Sequence, residues 1–394
     1  MKEYRLGDII TIKHGYAFDG EHIVQEDNGI VLVTPGNFRI GGGFQEEKCK
    51  FYSGEIPDGY VLSSGDFIVT MTDLSKTIDT LGYSALVPES DNRVYLHNQR
   101  IGLVSFKAND CFPGYIYFLM RTHPYQRFIA NTSTGSTVHH TSPSKIYDYR
   151  FYAPSYEEQR EIAERMFAYE KIIKNNQRQI KLLEEAAQRL YKEWFVDLRF
   201  PGHENTKITD GVPEGWRRER LVDLVDVQYG YAFDGSQFNA TRNGMPIIRI
   251  RNIPSGNTCD YTTEKVDVQY VVHNGDILVG MDGEFHINSW SGSDAYLVQR
   301  TCSFRPNKSS MKGYLLQAIY EPIKFFESTV VGATVAHLGK KHIDTISVLT
   351  CPDNLYVPFQ KYYEQRQLLL NQNWLLTEAR DRLLPKLMSG EIEV

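Results

Sequence analysis

The hexapeptide Gly15-Tyr16-Ala17-Phe18-Asp19-Gly20 returns letter for letter as Gly230-Tyr231-Ala232-Phe233-Asp234-Gly235, and the repeat extends far beyond it. Leu6-Gly7-Asp8-Ile9 aligns with Leu221-Val222-Asp223-Leu224, Asn37 with Asn252, Gly65-Asp66 with Gly275-Asp276, and Gln99-Arg100 with Gln299-Arg300. Gly114-Tyr115 meets Gly313-Tyr314, Gly135-x-Thr137-Val138 meets Gly332-x-Thr334-Val335, and Leu183 and Leu190 meet Leu376 and Leu383. The separation falls from 215 positions (221 − 6) to 193 (376 − 183) and never rises, the pattern left by a tandem duplication with loop deletions in the second copy. Such a chain folds as two similar units, and two copies of one surface suit a target that itself has two halves.

Each copy begins strand-rich and ends helical. Residues 1–153 hold short apolar runs such as Ile30-Val31-Leu32-Val33 and Phe67-Ile68-Val69, punctuated by turns at Gly41-Gly42-Gly43, Pro57-Asp58-Gly59 and Ser63-Ser64-Gly65-Asp66. One helix is expected inside this region, from Gly114 through Phe128. Residues 154–198 change character: no Gly or Pro occurs from Glu157 to Val196. Apolar positions there recur in steps of four and three, through Ile162, Met166, Tyr169, Ile173, Asn176, Ile180, Leu183, Ala187, Leu190 and Trp194. That is a heptad seam over about 40 residues, a rod of roughly 60 Å, with Asn176 as a polar register point. Residues 199–352 form a linker and the second strand-rich domain, which opens at Pro213-Glu214-Gly215-Trp216. Residues 353–394 return to the 3-4 spacing through Phe359, Tyr362, Arg366, Leu369, Asn373, Leu376, Arg380, Leu383 and Leu387, with two arginines in the seam. Pro385 lacks an N–H and is expected to kink or end this helix near Leu384. Neither amphipathic rod is stable without a partner for its stripe, and the other copy is the nearest one. The expected fold is therefore α+β: two pseudo-symmetric strand-rich domains separated by two long helices packed as an antiparallel coiled coil.

The composition excludes several classes. No stretch approaches the roughly 20 apolar residues of a membrane span, and no apolar run follows Met1-Lys2-Glu3-Tyr4-Arg5, so neither a membrane segment nor a secretory leader is expected. Five scattered cysteines with no Cys-x-x-Cys spacing read as free thiols of a reducing cytoplasm, with neither disulfide frame nor zinc site. The net charge of −6 counts mildly against nucleic acid as a partner, yet Arg217-Arg218-Glu219-Arg220, Arg249-Ile250-Arg251 and His337-Leu338-Gly339-Lys340-Lys341-His342 are local basic knots. Charge distribution outweighs the sum, because ordinary salt screens charges beyond about 10 Å.

No catalytic constellation is present. The sequence has no phosphate-binding glycine loop and no Asn/Asp-Pro-Pro-Tyr/Phe motif of an amino-methyltransferase. Its one Glu-x-Lys (Glu46-Glu47-Lys48) precedes both Pro-Asp pairs, against the nuclease order. The His139-His140 and His337…His342 sets lack a regular ligand spacing, so loop or phosphate-facing histidines are favoured over a metal site, and no metal is assigned.

The residues that suit DNA contact lie in the repeated loops. Phe18 and Phe233 fit the core, glycine the turn and aspartate a cap, which leaves Tyr16 and Tyr231 as surface candidates with a polar tip. Ile247 to Asn252 alternates, which predicts Arg249 and Arg251 on one strand face; arginine pairs with guanine and asparagine with adenine, so Arg249, Arg251 and Asn252 form a base-reading cluster. The first copy offers Thr34, Asn37 and Arg39 there instead, as two half-sites of different sequence require. A solvated strand face is the alternative for any one of them. Ser136, Thr137, His139, Ser144 and Lys145, with Thr334, His337, Lys340 and Lys341, supply hydroxyls, backbone N–H groups and lysines in short loops that suit phosphate clamping; a domain-closing loop is the alternative.

Taken in order, these features resemble the specificity (S) subunit of type I restriction–modification systems over essentially the whole length. The resemblance is carried by the duplicated hexapeptide, the clause Leu190-Tyr191-Lys192-Glu193-Trp194-Phe195-Val196-Asp197-Leu198-Arg199-Phe200-Pro201-Gly202, Pro213-Glu214-Gly215-Trp216, the paired Gly-x-Thr-Val loops, and Leu383-Leu384-Pro385-Lys386-Leu387-Met388-Ser389-Gly390-Glu391-Ile392. It implies two target-recognition domains, each reading one half of a bipartite double-stranded DNA site, and helices that act as a ruler for the spacer. It further implies methyltransferase (M) subunits docked on the helices and recognition domains, and a restriction and translocase (R) subunit joining them. No cofactor is expected on this chain: S-adenosylmethionine belongs to the M partner, ATP and Mg to the R partner. The target adenine leaves the stack to be methylated, so this chain would hold DNA while its partner flips the base. The competing readings are a fused enzyme, against which the missing motifs argue, and a two-lobed protein-interaction scaffold without DNA readout.

The heptad seam generates a first prediction. Inserting seven residues within 162–190 lengthens the rod by about 10 Å and is expected to change the spacer preference while leaving both half-sites intact, as read from the methylated DNA motif. Altered half-sites with an unchanged spacer would sink the ruler.

Overall fold

The two copies fold with the same strand order. In the computed structural model, which describes residues 1–75, 78–107, 110–329 and 336–393, the chain divides into two compact units: Met1–Glu170 with Ala379–Val394, and Lys171–Glu378. This division cuts through both long helices, so each unit owns a strand-rich lobe and a portion of each helix.

In the first unit, an antiparallel four-stranded sheet runs Ile10–His14, Ile101–Phe106, Phe67–Thr70, Ser84–Leu86. A five-stranded sheet runs Ile23–Val24, Lys50–Tyr52, Ile30–Val33, Val94–His97, Val61–Leu62, with Ile30–Val33 and Val94–His97 parallel. Lys2–Arg5 pairs with Arg150–Ala153. The second unit repeats all three: Val225–Tyr229, Thr301–Pro306, Ile277–Gly280, Ile287–Ser289 in the first sheet, then Phe238–Asn239, Tyr261–Thr262, Met245–Ile248, Ala295–Leu297, Val271–Val272 in the second, and Arg217–Arg220 with Ser347–Thr350. Registers agree as well, Gly102 facing Val69 as Cys302 faces Val279.

The helix expected from Gly114 to Phe128 is two helices, Pro113–Leu119 and His123–Thr132. Pro124 sits in the first turn of the second, where a missing N–H costs nothing, so it starts a helix here and does not interrupt one. Tyr115 and Tyr314, matched in sequence, are fully buried in the two cores.

The central helix spans Tyr156–Tyr191 and widens into a π turn over Lys192–Val196. Ser155 and Glu158 form a reciprocal cap at its start: the Glu158 carboxylate accepts from the Ser155 N–H (3.0 Å), and the Glu158 N–H donates to the Ser155 hydroxyl (3.3 Å). Ile162, Met166, Ile173, Asn176, Ile180 and Ala187 are buried, and Tyr169, Leu183 and Leu190 half-buried, as the heptad reading requires. In the second unit this helix runs antiparallel to the C-terminal helix, Val357–Ser389: Asn373 Nδ2 donates to the Ile173 carbonyl (3.5 Å), Asn176 Nδ2 to Gln372 Oε1 (3.4 Å), and Trp194 meets Phe359 edge-on at 5.7 Å. Leu369, Asn373, Leu376 and Leu383 are half-buried. The seam shifts by one residue near its start, where Tyr363 and not Tyr362 is buried.

The two arginines in the seam are explained by carboxylates of the central helix. Arg380 faces Glu170 at 3.8 Å within the first unit, and Arg366 donates to Glu184 at 2.6 Å within the second. Arg366 also donates to Ser289 Oγ (2.7 Å) and Asn288 Oδ1 (2.6 Å), tying helix to lobe. The first unit makes the same kind of tie in the reverse sense: Arg121, from the lobe, binds Glu170 of the helix, the Tyr117 hydroxyl (2.9 Å) and the Gly41 carbonyl (2.7 Å). The expected stop at Pro385 does not occur. The helix runs through it to Ser389 because Leu384, Leu387 and Met388 are buried in the first unit's core, which holds the last turn against the loss of one hydrogen bond.

Arg366→Ala removes the guanidinium that Glu184, Asn288 and Ser289 share and is expected to destabilise the chain by about 3 kcal/mol. Arg366→Met, which keeps the stem packed, is expected to cost less than half of that; urea unfolding of the full chain measures both.

Candidate nucleic-acid interface

The duplicated hexapeptide follows the strands Ile10–His14 and Val225–Tyr229 and is clamped to a second segment by backbone bonds. The Tyr16 N–H donates to the His97 carbonyl (2.8 Å) and the Gln99 N–H to the Tyr16 carbonyl (2.9 Å); in the second lobe Tyr231 donates to Leu297 (2.9 Å) and Gln299 to Tyr231 (2.7 Å). A Cβ at Gly15 would lie well inside contact with the His97 and Asn98 carbonyls, and one at Gly230 would meet that of Val298, so only glycine allows this approach. Asp19 and Asp234 cap the following turns, accepting from Glu21 and Ser236 N–H, and Phe18 and Phe233 are buried. Tyr16 is exposed and Tyr231 half-buried, each against two rings: Phe18 and Tyr60 in one lobe, Phe233 and Tyr270 in the other.

The same segments hold the Gln-Arg pairs beside the loop histidines. The Arg100 carbonyl accepts from Met71 N–H and that of Arg300 from Met281 N–H, both at 2.9 Å; Met71 in turn accepts from Thr141 (3.0 Å) and Met281 from Leu338 (2.7 Å). One residue along, Thr72 Oγ1 shares a hydrogen bond with His140 Nδ1 (3.1 Å), and Asp282 Oδ1 with His337 Nδ1 (2.5 Å). Each lobe thus gathers a tyrosine, an exposed Gln-Arg pair and a histidine around one seam, as Tyr16, Gln99, Arg100 and His140, and as Tyr231, Gln299, Arg300 and His337.

Several expected site residues change role. His140, not His139, is the counterpart of His337: His139 is half-buried with its Nδ1 turned inward, while His140 is exposed. Arg249 and Arg251 do not share a strand face, because the strand ends at Ile248 and Ile250–Asn252 is a 3₁₀ turn. Arg249 stacks over Phe238 at 5.7 Å, and Arg251 is exposed but paired with Asp260 at 2.7 Å. Asn37 is 0% exposed; its Oδ1 accepts from Thr34 N–H (2.8 Å) and its Nδ2 donates to the Gln45 carbonyl (3.3 Å), so it belongs to the fold. Asn252 repeats that cap, accepting from Arg249 N–H at 2.9 Å. Asn37, a buried amide committed to backbone partners, has nothing left to offer a base, whereas Asn252 is half-buried and only its side-chain oxygen is engaged among the described residues. Thr34 and Arg249 end the parallel strands Ile30–Val33 and Met245–Ile248, level with Asn98 and Val298 and so beside the gathered seam. Arg39 is exposed.

Ser136 and Thr137 are exposed on a tight loop closed by paired bonds between Thr134 and His140 (2.9 and 2.8 Å). Gly135 takes φ +102° there, and a Cβ would strike the Val138 carbonyl. Thr334, their counterpart, lies outside the described residues. Ser144 is exposed and shares a bond with Ser142 (2.9 Å), Lys145 is half-buried, Lys340 pairs with Asp344 (3.1 Å), and Lys341 is exposed with no ion pair among the described residues. Among the described residues no cluster of His, Cys, Asp or Glu could hold a metal ion, and no helix is long and apolar enough to cross a membrane.

Residues 1–185 and 213–354 match the profile of the type I restriction modification DNA specificity domain. The chain belongs to that family. Among its relatives, the type I restriction enzyme MjaIX specificity subunit of Methanocaldococcus jannaschii is 24% identical over 298 residues, 71% of this chain and 69% of that one. The EcoBI specificity subunit of Escherichia coli is 28% identical over 183 residues, 45% of this chain and 37% of that one. A crystal structure of the type I restriction-modification system S subunit from M. genitalium shares the fold with a TM-score of 0.54 at 15% identity, covering 98% of this chain and 96% of that one. The family match falls on both lobes, and therefore on both gathered seams.

The two seams of this specificity chain differ in charge. Burial opposes ionisation of Asp282, but hydrogen bonds from His337 and Arg300 outweigh it and hold the carboxyl below the usual aspartate range. A depressed folded pKa contributes stability above the unfolded value, about 3.9, and that contribution is lost as pH falls through the folded one. Asp282→Asn is therefore expected to lower stability by up to about 1 kcal/mol at pH 7, with the difference from wild type shrinking below about pH 3.9. Urea unfolding of both proteins across that range measures it; a difference that grew in acid would contradict the clasp.

Proposed function

We propose that this specificity subunit reads a bipartite double-stranded DNA target, one half-site per lobe, through the gathered seams around Tyr16 and Tyr231. The observation that carries this reading is the duplication itself. Backbone bonds build the same seam twice, while the side chains placed on it differ: Thr72 stands opposite Asp282, and Thr34 opposite Arg249. Equal scaffolds with unequal side chains suit two half-sites of unequal sequence, because backbone geometry positions a protein on DNA and side chains discriminate bases.

Membership of the family supports the remaining assignments. The antiparallel helices set the spacing between half-sites and offer their outer faces to methyltransferase subunits, with restriction and translocase subunits completing the complex in the cytoplasm. Adenine methylation from S-adenosylmethionine, and the ATP- and Mg-dependent steps, belong to those partners. This chain contributes the address.

Mapping adenine methylation across the host genome with and without this gene tests the reading. Loss of one bipartite motif on deletion is the expected result and delivers the target sequence in the same data. An unchanged map would favour the two-lobed scaffold that does not read DNA.

A further inference from the structure

Arg100 and Arg300 occupy the same place in the two lobes, yet their surroundings are not alike. Each follows a glutamine, is exposed, and has its carbonyl bound by a methionine of the neighbouring strand. In the second lobe Asp282 uses both carboxylate oxygens locally: Oδ1 bonds His337 Nδ1 and Oδ2 accepts from the Arg300 guanidinium. Asp282 is 13% exposed while the Arg300 side chain is 61% exposed, so a sheltered anion holds a projecting cation. In the first lobe the neutral Thr72 stands in place of Asp282, and the Arg100 guanidinium has no hydrogen-bonded or charged partner among the described residues. The backbone differs too. Arg300 takes φ +68°, a left-handed conformation that a residue with a Cβ keeps only when its surroundings impose it, whereas Arg100 does not.

We infer that Arg300 is a specificity-determining residue that reads guanine, aimed by Asp282, and that Arg100 at the matched position clamps the phosphate backbone. The inference rests on the reading that each lobe contacts one half-site. A guanidinium carries five N–H donors in a rigid plane. With Nη1 held by Asp282, the donors left free still match the paired O6 and N7 acceptors of guanine in the major groove. Charge separates the two candidate ligands. The Arg300–Asp282 pair is neutral overall, so a phosphate approaching Arg300 also meets the carboxylate, while a neutral base does not. Arg100, with no carboxylate beside it, keeps its whole charge for a phosphate. Holding Arg300 in one orientation before DNA arrives also removes ordering that binding would otherwise require, and does so where a base reader needs it.

The test compares adenine-methylation maps from hosts carrying the wild-type chain, Arg300→Ala, Arg300→Gln and Arg100→Ala. Both Arg300 variants are expected to keep the spacer and the other half-site but to lose a guanine preference at one position, with methylation of sites lacking it rising about 10- to 100-fold relative to the native site. Arg100→Ala is expected to leave the motif unchanged and lower methylation at every site alike. An unchanged motif in the Arg300 variants, or uniform loss at all sites in both, would overturn the base-reading role, and a relaxed base position in the Arg100 variant would overturn the phosphate role. If the wild-type chain itself supports no motif, the DNA-reading function fails before any substitution is compared, so the two failures are told apart.

Discussion

A side chain at position 15 or 230 would occupy space that carbonyl oxygens of the neighbouring strand end already fill. The two glycines are the condition for a close backbone approach that bonds Tyr16 to His97 and Gln99, and Tyr231 to Leu297 and Gln299. From that approach the rest of each seam follows. The Gln-Arg turn is pinned, its carbonyl takes the methionine N–H, and the methionine takes the strand that carries His140 or His337. Three segments distant in sequence meet through main-chain bonds, which place side chains without depending on what those side chains are. A scaffold of this kind tolerates changes in the residues it displays, which suits a protein whose task is to distinguish DNA sequences.

The long helices obey a second constraint, burial of charge. Coiled-coil seams prefer apolar residues, and Arg366 and Arg380 interrupt the second seam. Each interruption is met by a glutamate of the central helix, Glu184 or Glu170. Arg366 then reaches on to Asn288 and Ser289, and in the first unit Arg121 reaches from the lobe to the same Glu170. An unpaired buried charge costs several kcal/mol, so these networks strongly disfavour any arrangement that separates the partners. They make each lobe and its helical portion one body, with the direction of the tie reversed between units.

The duplication, the element types and the heptad seams were legible because they rest on local or periodic signals. The hexapeptide, the period of Ile162 to Leu190 and the absence of catalytic motifs needed no knowledge of tertiary contacts. The individual site residues were less legible. Asparagine can pair with adenine, yet the Asn37 amide is buried and committed to the backbone, and the Asn252 side-chain oxygen is held by a turn that begins where the strand ends at Ile248. Of the His139-His140 pair, only His140 lies 197 positions (337 − 140) before His337, the offset of its own loop, and which of the two faces outward is set by the fold. The Gln99-Arg100 repeat was visible, yet nothing in the linear sequence tied it to Tyr16 or to the histidine loop.

By itself, then, the sequence determined that this protein is two copies of one unit with two long amphipathic helices, because repetition and periodicity are properties of the linear chain. It also determined the family, through motifs whose order is specific even where each is weak. Only the tertiary structure decided which exposed side chains share a surface and which polar ones are spent on the fold. The physical reason is that hydrogen-bond partnership is non-local: Asp282 meets Arg300 and His337 across gaps of 18 and 55 residues. No window along the chain contains that triad, and the charge difference between the two lobes exists only once it is assembled.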